Sequence, residues 1–191
     1  MPSVEPQGKL DQFFLLSQDL LCCIDFAGTL LSVNPTFESL LGYPAHALLG
    51  KPCGVVVEPR DHPVIEAALA SLCRGEKVNT FDVCARTVEG QRIWLEVSAS
   101  SGDQVIYVIA RDVTRRKAVE KQLRRNQRLF RIAGETAHIG GWYMDLAVGL
   151  PIWSEEVCRL HDMPVGHQPT LDEALGFYTP RVQPRIRSVF T

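Results

Sequence analysis

Arg111-Asp112-Val113-Thr114-Arg115-Arg116-Lys117 joins two segments of opposite character. Upstream, Gln104-Val105-Ile106-Tyr107-Val108-Ile109-Ala110 is dense in β-branched and aromatic residues and predicts a strand. Downstream, Ala118 to Ala137 lacks proline, carries glycine only at Gly134, and predicts a helix. Thr114 is read as the N-cap, its hydroxyl accepting from an unpaired amide of the first helical turn. The last strand of a sheet thus runs straight into a helix leaving the domain. Asp112, Val113 and Thr114 are therefore expected to relay changes in the sheet outward.

Working back from that junction, two strands follow the third helix. Lys77 to Thr87 alternates through Phe81, Val83 and Ala85; Arg92 to Ser98 places Ile93, Leu95 and Val97 on one face. Nearer the start, Leu20 to Phe26 and Thr29 to Val33 flank Ala27-Gly28 and predict a hairpin. Asn34-Pro35 opens a helix carrying Phe37, Leu40 and Leu41, with Asn34 as its cap and Gly42 as its stop. Asp61-His62-Pro63 opens a longer helix to Cys73, whose apolar face is Val64, Ile65, Ala68, Leu69 and Leu72. Leu10 to Gln18 predicts a short helix after a flexible tail over residues 1–9. Two strands, several helices and three strands suggest an α+β fold, an antiparallel sheet with helices on one face.

Composition bounds the function. Hydrophobic content of 46% and charged content of 22% suit a globular chain with an ordinary core. No apolar run reaches the roughly 18 residues of a membrane helix, and the N-terminus lacks a signal-peptide pattern; the expected location is cytoplasmic. None of the six cysteines forms a Cys-x-x-Cys pair, so reduced thiols are expected and no metal. Arg115 to Arg131 holds eight basic residues and one acid within a chain of net charge −2. Without aromatic interleaving or a recognition-helix motif, that run reads as a solvated helix face and not a nucleic-acid site. No Ser-His-Asp, Cys-His or paired-carboxylate arrangement has motif context, and no glycine-rich phosphate loop is present, so the chain is not expected to be an enzyme.

The motifs Asp25-x-x-Gly28, Val33-Asn34-Pro35, Leu41-Gly42-Tyr43 and Leu49-Gly50-Lys51 resemble the first half of a PAS sensor domain. Arg111 to Lys117 is similar to the closing motif of the same family. The resemblance implies a PAS domain over 10–114, with a five-stranded antiparallel sheet in the order 2-1-5-4-3 and helices enclosing a cavity. A linker helix over 115–137 would follow. Gly140-Gly141-Trp142-x-x-Asp145-Leu146, Trp153-Ser154-Glu155-Glu156 and Thr170-Leu171-x-Glu173 resemble the start of a second PAS domain over 138–191, truncated before its closing strands. Such domains sense small molecules, light, oxygen or redox state, or dimerise. They report to a histidine kinase of a two-component system, a cyclic-di-GMP enzyme or a transcription factor. The resemblance therefore implies a sensory module whose output domain lies downstream in the same polypeptide. The alternative is a ligand-free scaffold for protein contacts.

The expected cavity lining is Cys23, Leu31, Phe37, Leu41, Ile65, Leu69, Phe81, Val83, Leu95 and Val97, each of which packed core explains as well. Few polar groups occur among them, so any ligand would be small and apolar. Flavin and haem are disfavoured. Cys53 stands where light-sensing relatives place a reactive cysteine, but Pro52-Cys53-Gly54-Val55-Val56-Val57 replaces their polar stretch. Leu95 replaces the asparagine that meets the flavin edge. His62, at a helix start before Pro63, suits a local hydrogen bond better than haem ligation. In the linker helix, Val119, Leu123, Asn126, Phe130, Ala133 and Ala137 alternate four and three apart, a coiled-coil seam implying a homodimer.

Overall fold

The computed structural model describes residues 6–145 and 148–189. Two compact units divide the chain, Met1–Val119 and Glu120–Thr191.

In the first unit, strands β1 (Leu20–Ile24), β2 (Leu30–Val33), β3 (Phe81–Arg86), β4 (Arg92–Ser101) and β5 (Ile106–Asp112) form one antiparallel sheet in the order β2-β1-β5-β4-β3. Helices α1 (Pro6–Leu16), α2 (Thr36–Leu41), α3 (Ala45–Leu48) and α4 (His62–Cys73) complete it, with 3-10 turns at Cys53–Val56 and Pro59–Asp61. The expected five strands and their order are thus present. Helix α1 starts at Pro6, within the expected tail; residues 1–5 of that tail lie outside the described residues.

One face of the sheet is buried because alternate residues of each strand point to it. Leu20, Cys22 and Ile24 of β1, Val83 and Ala85 of β3, Leu95 and Val97 of β4, and Ile106 and Ala110 of β5 meet Phe37, Leu41, Leu48 and Leu72 from the helical layer. Val64 departs from the expected helix face and is exposed.

Both margins of the sheet are partnered. At β2, Leu30 N–H donates to the Lys51 carbonyl and Leu30 O accepts from Gly50. At β3, Cys84 N–H donates to Asp61 Oδ2 (2.7 Å), and its carbonyl accepts from Glu58.

Asn34 does not cap α2. Pro35 occupies that position, and the Asn34 side chain, 1% exposed, reaches back to β1. Its Oδ1 accepts from Leu21 N–H (3.0 Å), and its Nδ2 donates to the Asp19 carbonyl (2.9 Å) and to Thr36 Oγ1 (3.2 Å). A buried carboxamide with every interior partner satisfied fixes how β1 meets α2.

Helix α5 (Thr114–Ala137) carries the chain across the boundary between the units. The second unit then builds β6 (Trp142–Asp145) and β7 (Leu150–Trp153), an antiparallel pair, with α6 (Glu155–Leu160), α7 (Leu171–Gly176) and α8 (Gln183–Arg187). Leu146 of the quoted motif lies outside the described residues. Ser154 Oγ caps α6 by accepting from Val157 N–H, and Thr170 with Glu173 forms a capping box at α7. Glu156, buried, accepts from Arg159 Nη1 (3.0 Å) and His138 Nδ1 (3.3 Å). The Arg159 hydrogen bond, chiefly, holds its carboxyl below the ordinary range.

Candidate functional site: an apolar cavity and its exit strand

An apolar cavity of about 80 Å3 lies between the sheet and α4. Of the residues expected there, Phe37, Ile65, Leu69, Phe81, Val83, Leu95 and Val97 line it. Leu41 is fully buried in the core without reaching it. Cys23 and Leu31 do not line it; Leu31 is 49% exposed. Their neighbours Cys22, Ile24 and Leu30 point inward instead. Leu20 to Ile24 is apolar throughout, so alternation cannot mark the inner face, and a register shift between Cys23 and Ile24 sets β2 by one residue. A slip of one residue exchanges the two faces of a strand.

Sequence reasoning also missed Cys22, Val56 and Ile106 as lining residues. Cys53 lines the cavity too, at the position the spacing from Gly50 had singled out. Burial pushes the Cys22 thiol up to about 12, with the Cys53 and Cys23 thiols adding to the rise. Burial likewise raises Cys53, partly offset by backbone N–H groups of Cys53 and Gly54. Both thiols are therefore neutral, weakly polar groups in an apolar wall. Gly28, at φ +83°, makes the β1–β2 turn, and a Cβ there would come 2.9 Å from Leu69 Cδ1 of the lining.

His62 Nε2 lies 3.1 Å from the carbonyl oxygens of both Gly54 and Val57. Two acceptors on one ring nitrogen fix the proton there, so Nε2–H donates to both. Among the described residues, no three His, Cys, Asp or Glu side chains gather as metal ligands would.

The cavity wall continues into the exit helix. Ile106, Val108 and Ala110 of β5 line the cavity; Asp112, Val113 and Thr114 follow directly. Thr114 is not the cap its position suggested. Its Oγ1 accepts from Trp94 N–H of β4 (2.8 Å), while Asp112 Oδ1 accepts from Thr114 N–H (2.8 Å). Val113, 3% exposed, donates its N–H to the Trp94 carbonyl (2.8 Å). Arg116 pairs with Glu96 and Lys117 with Asp82, both at 2.6 Å. Lys117 Nζ also sits 4.9 Å from the Trp94 ring centre, with the Arg60 guanidinium 5.6 Å from it. The first turn of α5 is thus fastened to β3 and β4.

This predicts that Thr114→Val, which leaves Trp94 N–H without its acceptor, loosens that turn. Amide exchange of residues 115–118 should rise about tenfold, the effect of a lost hydrogen bond to a part-buried donor. Unchanged protection would show that the hydroxyl does not hold the junction.

Beside β3, the buried Glu58 carboxylate accepts from Arg86 Nη2 (2.5 Å) and Arg92 Nε (3.3 Å). Burial pushes its carboxyl up, but the hydrogen bonds and charges of Arg86 and Arg92 together outweigh that and hold it below the usual range. Because the folded value is depressed, its stabilisation is present above the unfolded glutamate pKa and is lost as pH falls through the folded one. Glu58→Gln should flatten the acid limb of a urea-midpoint profile against pH. An acid limb identical to that of the parent would remove Glu58 from the account.

A model of the PAS fold matches residues 14–118, more than half of the chain. The chain belongs to the PAS fold family. A domain of a sensory box sensor histidine kinase/response regulator from Geobacter sulfurreducens is 29% identical, with TM-score 0.51, covering 56% of this chain and 93% of that one. The PAS domain of a Colwellia psychrerythraea protein is 20% identical at TM-score 0.52, covering 58% and 99%. An RNA-binding light-oxygen-voltage receptor reaches TM-score 0.56 at 24% identity, covering 69% of this chain and 39% of that one. At those identities the last two show the PAS fold alone. No curated protein matches the chain. The PAS match leaves the second unit unassigned, and PAS domains are sensory and non-catalytic, so the first unit is a sensor domain of a signalling protein. No helix among the described residues is long and apolar enough to cross a membrane.

Proposed function

We propose that the chain is a cytosolic sensory and dimerisation module of a bacterial-type signalling protein. It passes the state of its cavity, or of a bound partner, through β5 and α5 to an output domain. The observation that carries this is continuity: one strand both walls the cavity and becomes the fastened start of the exit helix. A histidine kinase is favoured over a cyclic-di-GMP enzyme as output, because the 29% identical Geobacter domain comes from a sensor kinase.

Dimerisation draws its support from α5. Val119, Leu123 and Phe130 of the seam are 62%, 57% and 79% exposed, apolar side chains awaiting cover. Asn126 accepts from Gln122 Nε2 (3.1 Å), and Ala133 completes the stripe. The second unit we read as the opening part of another PAS domain. Its order β6, β7, α6 repeats β1, β2, α2 at similar spacing.

The cavity's occupant would be a small apolar molecule. An apolar cavity of roughly 150 Å3 takes benzene or xenon, and this one, at about 80 Å3, suits a few heavy atoms. As folded it is several times too small for a flavin or haem, since drug-sized ligands occupy roughly 300 Å3 or more. That small volume is also what favours the second reading, a PAS scaffold that makes protein contacts with no ligand.

Native mass spectrometry of gently purified protein, with sedimentation at high salt, tests this. A dimer with a reproducible extra mass supports sensing, and a bare dimer supports the scaffold. Monomer alone at high concentration and high salt, where repulsion between basic helices is screened, would overturn the dimer.

A further inference from the structure

An outer cleft of about 670 Å3 opens beside the cavity, and five residues line both: Cys53, Val56, Val57, Ile65 and Leu69. The outer cleft and the interior therefore share one thin wall here. One side of the wall is α4 (Ile65 and Leu69). The other is the 3-10 turn Cys53–Val56 with the residue after it. A short turn of this kind has poor internal hydrogen bonding. Its ends are anchored to the sheet side by backbone, Cys53 N–H donating to the Gly28 carbonyl and Val57 bridging Ala85. On the α4 side one side chain ties it down: His62, at the start of α4, donates Nε2–H to the carbonyls of Gly54 and Val57. Cys53 faces both spaces, whereas Cys22 lines only the inner one.

We propose that His62 is the latch on the cavity's entrance, and that small apolar molecules enter when the Cys53–Val57 turn swings from α4. The latch rests on the reading of the cavity as a site for such a molecule. Its chemistry suits a gate: two hydrogen bonds shared by one ring N–H are strong enough to keep the turn shut on average and weak enough to break locally. Gly54 supplies a second handle. A Cβ at Gly54 would stand 3.5 Å from His62 Nε2 and 3.6 Å from Cδ2, ordinary contact, so Gly54→Ala would pack against the latch and stiffen the turn.

Reaction of Cys22 with methyl methanethiosulfonate, read residue by residue by mass spectrometry, measures opening. Cys22 is buried, at 7% exposure, so its labelling rate reports how often the wall opens. Cys84, fully buried and outside both spaces, reports global unfolding in the same sample. His62→Phe keeps a ring but removes the donor, and should speed Cys22 labelling about tenfold, the expected result of losing one shared donor. Gly54→Ala should slow it, and neither variant should change Cys84. Opposite signs from the two variants cannot arise from a folding defect. Equal Cys22 rates in parent and variants, or parallel acceleration of Cys84, would overturn the latch. Xenon-induced shifts of the Ile65 and Leu69 methyl resonances separately test the site. Xenon binding with unaltered Cys22 rates defeats the latch alone, whereas altered rates without xenon binding defeat the ligand reading and leave the latch.

Discussion

Asn34→Ala should destabilise the first unit by about 3 kcal/mol, a large part of the total for a domain of this kind. The substitution strands Leu21 N–H and leaves the Asp19 carbonyl with only its bond from Ser17 Oγ; these groups and Thr36 hold the carboxamide in place. A buried polar group left unpaired costs roughly 1–3 kcal/mol, and the space of the missing amide adds to that. Asp19 sits at the centre of the arrangement, since its carboxylate also receives Arg111 of β5 at 2.9 Å. Loss of Asn34 should therefore be felt in β1 and β5 together. Urea unfolding followed by amide exchange of those strands measures it. A loss below about 1 kcal/mol would mean that water replaces the carboxamide without penalty.

Gly140→Ala should cost the second unit about 3 kcal/mol while leaving the first unchanged. A Cβ on Gly140 would lie 2.7 Å from Val157 N and 3.0 Å from Val157 Cα, and would also meet Val157 Cγ2. Backbone cannot rotate away as a side chain can, so the segment before β6 would have to leave α6. That departure breaks the two bonds joining Gly141 and Ser154, in which Gly141 N–H donates to Ser154 Oγ and Ser154 N–H to the Gly141 carbonyl. Val157 and Cys158, both buried, would open to water. Exchange protection lost over β6, β7 and α6 but kept over β4 and β5 is the expected pattern. Loss of protection in β4 and β5 as well would contradict the division of the chain at Val119.

Legibility in the sequence followed the physics of each element. The strands β3 and β4 were readable because Phe81, Val83, Leu95 and Val97 alternate with polar residues, and alternation names the buried face directly. In β1 the run Leu20-Leu21-Cys22-Cys23-Ile24 is apolar on both faces, so its strand was evident and its orientation was not; hence Cys23 in place of Cys22. The termini of α2 and α5 taught a second lesson. Asn34 and Thr114 both have the chemistry of helix caps, and a local reading assigns each to its own helix. Their side chains instead bind strands, β1 in one case and β4 in the other, because a burial site that needs its donors satisfied outranks a solvated cap. The Glu58 cluster left no signal, since its arginines lie 28 and 34 residues along the chain. His62 was legible as a locally bonded residue; its two acceptors required the fold of the Gly54–Val57 turn.

The occupied margins of the sheet bear on how copies of this chain can associate. With Leu30 bonded on both backbone groups to the Gly50–Lys51 segment, and Cys84 likewise to Glu58 and Asp61, neither flank offers a ready template for an incoming strand. Strand addition at these two positions is thereby blocked. A contact through helices or the flat of the sheet, by contrast, can close into a pair and stop.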